Sequence, residues 1–279
     1  MIIALFPKIQ RKEGKSLAQQ IIAFLRENHV SVVVEDDQAV ALNAPPLSSV
    51  QPKEVQFFIT MGGDGSILRV AHRYVHFEAA ILGINLGQLG FMADVQISEV
   101  LSSLEDFLSG AYTIEKRMVL EGMSDHQHSF FAINDCVLHR ACNPNLIEIS
   151  IFIDNLFFNT FEADGMILAT PNGSTAYSLA AGGPIICPNV DALILTPICP
   201  HTISNRPIVI STKHTIRIQY ISKNAPVEFV SDGFQHFTMH AGDVVQIRKS
   251  LRTFNLVTLT RSDYFSILRN KLNWSGKLR

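Results

Sequence analysis

Met61-Gly62-Gly63-Asp64-Gly65-Ser66 places one carboxylate among three glycines and a hydroxyl. Glycine lets a backbone approach a ligand closely. The carboxylate offers acceptor positions to a hydroxyl, or a ligand atom to a metal. Residues 55–60, before the loop, form a short apolar run rich in β-formers, which predicts a buried strand. Residues 67–75, after it, space their apolar side chains as a helix does. The loop therefore ends a strand and opens a helix. The first N–H groups of a helix lack intrahelical partners and carry partial positive charge, which suits phosphate. Gly62, Gly63, Gly65 and Ser66 make a candidate phosphate loop, with Asp64 its candidate catalytic group. On its own, such a turn also opens many α/β sheets that bind nothing there.

A second constellation lies further along. Asp164-Gly165 leads through an apolar run into Thr170-Pro171-Asn172-Gly173-Ser174-Thr175-Ala176-Tyr177-Ser178, and Gly182-Gly183-Pro184 follows. Asn134-Asp135 ends the run Phe130-Phe131-Ala132-Ile133. With the turn Leu89-Gly90-Phe91 and the stretch from Pro200 to Pro207, these segments resemble, in this order, the NAD kinase family. The resemblance covers roughly residues 55–235. The GGDG loop is shared with diacylglycerol and sphingosine kinases; the block from Asp164 to Pro184 is the specific part.

The resemblance implies transfer of the γ-phosphoryl group of ATP to the 2′-hydroxyl of the adenosine ribose of NAD, giving NADP. It implies that Asp64 contacts that hydroxyl and that Gly65 and Ser66 line the loop. Arg69 would favour the anionic ligand. Asn134 and Asp135 would hold ribose and adenine edges. Asp164 and Thr175, Ala176, Tyr177, Ser178, Leu179 and Ala180 would form the adenine and nicotinamide pockets. A divalent ion, Mg²⁺, is implied by the chemistry, and a homodimer or homotetramer by the resemblance. Several positions depart from the family pattern: Ser66 for threonine, Asp135 for glutamate, Glu162 for a basic residue and Phe234 for a polar one. Glu162 either repels the NAD pyrophosphate, accepts a hydrogen bond from a ribose hydroxyl or Arg69, or is a solvated residue at a strand end; the family's basic residue there favours repulsion. Two rival readings are a lipid kinase of the diacylglycerol type and a non-catalytic NAD(P)-binding sensor.

Other chemistries find little footing. Gly14-Lys15-Ser16 mimics the end of a P-loop, but Ile9 stands at its first glycine, and Ser16 reads as a helix cap. No GxGxxG, HExxH or GxSxG is present. The four cysteines show no CxxC spacing, which suggests reduced thiols in a cytoplasmic protein. A net charge of −2 gives no general attraction to nucleic acid or membrane. No stretch approaches the ~18 apolar residues of a membrane span.

With 47% hydrophobic and 17% charged residues, the 279-residue chain can bury a large core. Strands at 2–6, 30–34, 55–60 and 80–84 alternate with helices at 16–27 and 98–108, the pattern of a parallel sheet covered by helices. Residues 43–52 read as an exposed proline-rich loop. From about residue 111 the texture turns to short β segments: 146–153 and 156–161 joined by Asp154-Asn155, then 214–221, 227–230, 244–248 and 253–259. A helix is expected near 174–180, and the tail, 263–272, is again helical. The expected fold is an α/β domain over 1–110 and an all-β, sandwich-like domain over 111–261, with 262–279 returning to the first.

Overall fold

Nearly every strand core in this molecule is a run of Val, Ile, Leu and Phe, and the spacing of those runs decides its layers. The structure, a computed structural model, describes residues 1–10, 12–87, 90–202, 204–222 and 225–274. Leu89, Ile203 and the end of the tail, named above, lie outside the described residues. The chain divides into two units: Met1–Lys116 with Asn255–Arg279, and Arg117–Phe254.

The first unit begins β1 (Ile2–Phe6), α1 (Lys12–Glu27), β2 (Ser31–Val34), α2 (Ala39–Leu42) and β3 (Val55–Met61). It continues α3 (Asp64–Arg73), β4 (Ala80–Asn85), the short β5 (Val95–Gln96) and α4 (Val100–Leu108). The sheet order β2-β1-β3-β4 is parallel throughout. β4 is buried along its whole length, as a strand covered on both faces must be. Leu17, Ile21 and Leu25 of α1 enter this core, with Phe24 packed at its margin. Ser16 is not the helix cap. Glu13 in the first turn complements the positive end of the helix, which starts four residues earlier, at Lys12. The proline-rich stretch is only partly exposed. Ala44 and Leu47 are buried and Pro46 bridges Val34, so the segment covers part of the free edge of β2.

The strand β6 (Tyr112–Ser124) leads into the second unit, which carries β7 (Ser129–Ala132), β8 (Asp135–His139), β9 (Ile147–Ile153), β10 (Leu156–Ala163) and β11 (Gly165–Ala169). The short helix α5 (Tyr177–Ala180) precedes β12 (Ala192–Ile198), β13 (Ile208–Ser211), β14 (Ile216–Tyr220), β15 (Val227–Ser231) and β16 (Gln235–Met239). One antiparallel sheet runs β13-β12-β11-β8-β15-β16. Facing it are β10, β9 and β14, joined at Val244–Ile247 by the start of β17 (Val244–Leu259). One core fills the gap: Cys136, Leu138, Met166 and Leu168 meet Ile149, Ile151, Ile218 and Val245. This is the sandwich expected from alternating apolar residues. Asp154 (φ +50°) and Asn155 (φ +69°) make the expected two-residue hairpin turn.

The two strands expected at 244–248 and 253–259 are a single strand, β17. Lys249 to Thr253 interrupts the burial alternation but holds no glycine or proline, so nothing turns the backbone. After it, Leu256 pairs with Ile81 of β4, parallel to it. The tail helix α6 (Tyr264–Lys271) is capped by the Asp263 carboxylate, which accepts from the N–H groups of Phe265 and Ser266. It belongs to the first unit, with Leu268 buried and Lys271 Nζ 5.6 Å from the Phe91 ring centre.

Candidate active site

In the first unit the GGDG loop lies at the carboxyl end of β3, where open α/β sheets bind ligands. Asp64 is the first residue of α3. Its carboxylate is half-buried, not exposed, because a neighbouring loop wraps it. Oδ1 accepts from the N–H groups of Met92 (3.0 Å) and Ala93 (3.0 Å), and Oδ2 from that of Phe91 (2.8 Å). Gly90 permits the approach: a Cβ there would collide with Asp64 Oδ1. The sequence shows the Leu89-Gly90-Phe91 turn but gives no sign of its partner, 27 residues earlier. Gly63 and Gly65 are exposed, Ser66 is half-buried, and Arg69 is exposed on α3.

In the second unit β8 and β11 pair so that Asp135 faces Ala169 and His139 faces Gly165. Asn134, Asp135 and the segment after Ala169 therefore meet at one end of the sheet. Thr170 ties them, its N–H donating to Asn134 O (2.8 Å) and its hydroxyl to Ile133 O (2.6 Å). Asn172 Nδ2 donates to Asn134 Oδ1 (2.7 Å), and Arg117 donates to Asn172 Oδ1 (3.2 Å). Gly173 lies against the Asn134 carbonyl so closely that a Cβ has no room. Ser178 is buried and shares a hydrogen bond with Thr196 (2.9 Å), so it anchors α5. Thr175, Ala176 and Leu179 are half-buried, and Ala180 and Tyr177 exposed, the Tyr177 ring at 46%. The Tyr177 ring is therefore not packed into the core.

A further aspartate organises this end. Asp232 accepts from three successive N–H groups, those of Ile133 (2.6 Å), Asn134 (2.8 Å) and Asp135 (3.0 Å). It sits in a turn with Gly233, both at positive φ, between β15 and β16. The Asp-Gly pair was a readable hairpin signal; its reach to residues 133–135 was not. Asp135 is buried, and burial together with the Asp232 charge pushes its carboxyl up to about 7.

Asp164 does not join this cluster. It adjoins the opposite end of β11, roughly 14 Å away at a strand's rise per residue, and forms an ion pair with Arg140 (2.7 Å). Glu162 is exposed near it, on β10, with its carboxylate 3.6 Å from His201 Nδ1.

Comparison with known proteins places this arrangement. Residues 3–112 match the ATP-NAD kinase N-terminal domain and residues 133–259 the ATP-NAD kinase C-terminal domain. The chain belongs to the NAD kinase family, which is one of ATP-dependent phosphotransferases. It is 48% identical to the NAD kinase of Protochlamydia amoebophila (strain UWE25) over 278 residues, covering 100% of each chain. It is 36% identical to that of Syntrophotalea carbinolica over 284 residues, covering 99% of each. Among solved structures, yeast NADH kinase complexed with NADH superposes with a TM-score of 0.86 at 27% identity, covering 100% of this chain and 89% of that one. An NAD kinase from Archaeoglobus fulgidus in complex with ATP shares the fold, with a TM-score of 0.79 at 23% identity and coverage of 98% and 99%. Neither the lipid kinase nor the non-catalytic sensor finds support in these matches.

Proposed function

We propose that the γ-phosphoryl group of ATP passes to the 2′-hydroxyl of the adenosine ribose of NAD under the direction of Asp64. The observation that carries this assignment is the fixed carboxylate at the start of α3. A carboxylate has about four lone-pair positions. Three accept from Phe91, Met92 and Ala93, which leaves one, on Oδ2, for the ribose hydroxyl. Asp64 thus orients the hydroxyl oxygen for in-line attack on phosphorus. The transition state is loose, so orientation and charge neutralisation supply most of the rate. Gly62, Gly63, Gly65 and Ser66 line the phosphate side, and Arg69 attracts the anion.

Mg²⁺ enters this reading on the ATP phosphates. The GGDG loop offers one carboxylate, already mostly engaged, which suits an ion held mainly by substrate oxygens rather than by a protein cage. When bound, it neutralises charge on the transferring group.

Residues 111–261 bind NAD in this reading, and 1–110 with 262–279 carry the phosphate loop. Asn134 and Asp135 hold ribose and adenine edges, and residues 175–180 line the base pockets. The exposed Tyr177 ring offers a stacking face. We further infer a cytoplasmic homodimer or homotetramer. Among the described residues no helix is long and apolar enough to cross a membrane. The edge strand β10 exposes Leu156 and Phe157, a surface that a second copy would cover. Asp164, remote from Asn134 within one chain, takes part in a pocket only where a neighbouring copy brings it there.

Incubation with ATP, Mg²⁺ and NAD, with NADP read by an NADP-specific dehydrogenase, tests the reading. NADP formation supports it. Tight NADP binding without turnover, or phosphorylation of a lipid instead, overturns it. Sedimentation showing only fully active monomer at micromolar concentration overturns the oligomer.

A further inference from the structure

Two turns of the second unit, the β6–β7 hairpin turn and the connection from β16 to β17, far from each other in sequence, each present an aspartate and a histidine. The turn after β6 carries Asp125 and His126; the turn after β16 carries His240 and Asp243. Backbone bonds lock the turns side by side, with Asp125 N–H donating to Val244 O and Val244 N–H donating to Asp125 Oδ2, both at 3.1 Å. His126 Nε2 lies 3.1 Å from Asp243 Oδ1, and the ligand atoms of Asp125, His126 and Asp243 all fall within 4.8 Å of one another. Donor atoms around a tetrahedral Zn²⁺ are roughly 3.3 Å apart, given bonds of about 2.0 Å.

We propose that Asp125, His126 and Asp243 bind a divalent transition-metal ion of the Zn²⁺ class, which clips the two turns together. His126 Nε2 and Asp243 Oδ1 already pair at 3.1 Å, and a cation would take the place of the proton between them while drawing in the Asp125 carboxylate. One imidazole and two carboxylates form a borderline-hard donor set that suits Zn²⁺. The backbone supplies the outer support. Val244 N–H holds one oxygen of Asp125, and His240 N–H holds Oδ2 of Asp243 (2.8 Å), so each carboxylate presents its other oxygen. His240 Nδ1 lies 3.7 Å from the same Asp243 Oδ2, on the outer side of that carboxylate. This site shares no residue with the phosphate-transfer machinery. Its ligands are 117 residues apart in the chain, so no short motif reveals them.

The test is a Zn²⁺ titration of the untagged, chelator-treated full chain, followed by Co²⁺ optical spectra. One equivalent should bind with a Kd in the micromolar range. His126→Ala, an exposed position that the fold tolerates, should weaken binding at least tenfold, and Asp243→Asn should do the same. NADP formation with Mg²⁺ should be unaltered in His126→Ala. The Co²⁺ complex should show ligand-field bands without a thiolate charge-transfer band. The proposal is overturned by a Kd above 1 mM, by binding that His126→Ala leaves unchanged, or by a thiolate band, which would place the ion on the exposed Cys142 or Cys199.

Discussion

Each unit of this molecule contains an aspartate that gathers three backbone N–H groups from a remote stretch of chain. Asp64 does so with residues 91–93 and Asp232 with residues 133–135. The two differ in what lies beside them. Asp64 stands at a helix N-terminus among exposed glycines, so in the proposed reading its remaining acceptor position serves the ribose hydroxyl. Asp232 stands behind a buried carboxyl, Asp135, and its charge falls on that neighbour. In the proposed reading the same three-bond clamp supplies a chemical group in one unit, and in the other it sets a charge against a buried carboxyl.

The strongest way to break this contrast is Asp64→Asn. An amide keeps the size but turns an NH₂ toward the three donors or toward the hydroxyl. We expect kcat to fall roughly 10²–10⁴-fold, the range for a positioned acid–base group, while KM for NAD stays within a few-fold. Near-normal kcat in steady-state assays would remove Asp64 from the reaction.

Asp135 gives the second effect. Its native carboxyl titrates at about 7 against 3.8 in the unfolded chain. Between those values the unfolded state binds fewer protons than the native state, so stability falls as pH rises through that window and is level above it. The full shift corresponds to at most about 4 kcal/mol. Asp135→Asn should remove this slope, so that the variant gains on the wild type between pH 5 and pH 8 in urea denaturation. Parallel curves would show that Asp135 ionises normally.

Asp232→Asn sharpens the comparison from the other side. Asparagine tolerates the positive φ of this turn, so the substitution tests the carboxylate and not the backbone. We expect a loss of about 2–3 kcal/mol, since hydrogen bonds to charged groups contribute about 1.5–3 kcal/mol, and a KM for NAD raised about tenfold as residues 133–135 loosen. The Asp135 transition should move to lower pH, because one of its two causes is removed. A variant with unchanged stability and KM would mean that the strand pairing of β8 holds those residues without help.

These clamps also mark the limit of what the sequence discloses. The GGDG loop, the Asp154-Asn155 turn and the helix expected near 174–180 and found at 177–180 were legible because each depends on neighbours within a few residues. Apolar periodicity disclosed the layers for the same reason. The partners of Asp64 and Asp232 lie 27 or more residues away, and a backbone N–H has no residue type to betray it. Arg117 and Asn172, which brace Asn134, are likewise ordinary residues until the fold joins them. β17 was divided in two because exposure on both faces looks like a break, although only backbone chemistry makes one.

The smallest expected effect concerns Glu162, whose place within one chain bears on the repulsion argument. A carboxylate where the family carries a basic residue suggested repulsion of the NAD pyrophosphate. Repulsion requires proximity, yet within one chain Glu162 on β10 stands two residues before Asp164, which adjoins the end of β11 opposite Asn134 and Asp135. A separation of roughly 14 Å exceeds the screening length of about 8 Å at physiological salt. Its side chain is exposed, and its nearest charge partner, His201, is more exposed still, so the pair contributes little to stability. Glu162→Gln should therefore leave kcat and KM for NAD within twofold and stability within about 0.5 kcal/mol. The measurement is most telling at two salt concentrations. A KM that falls several-fold at low salt and recovers at high salt would mean that this carboxylate does face an NAD phosphate. In the proposed oligomer such a result would place Glu162 itself, and not only Asp164, beside the ligand of a neighbouring copy.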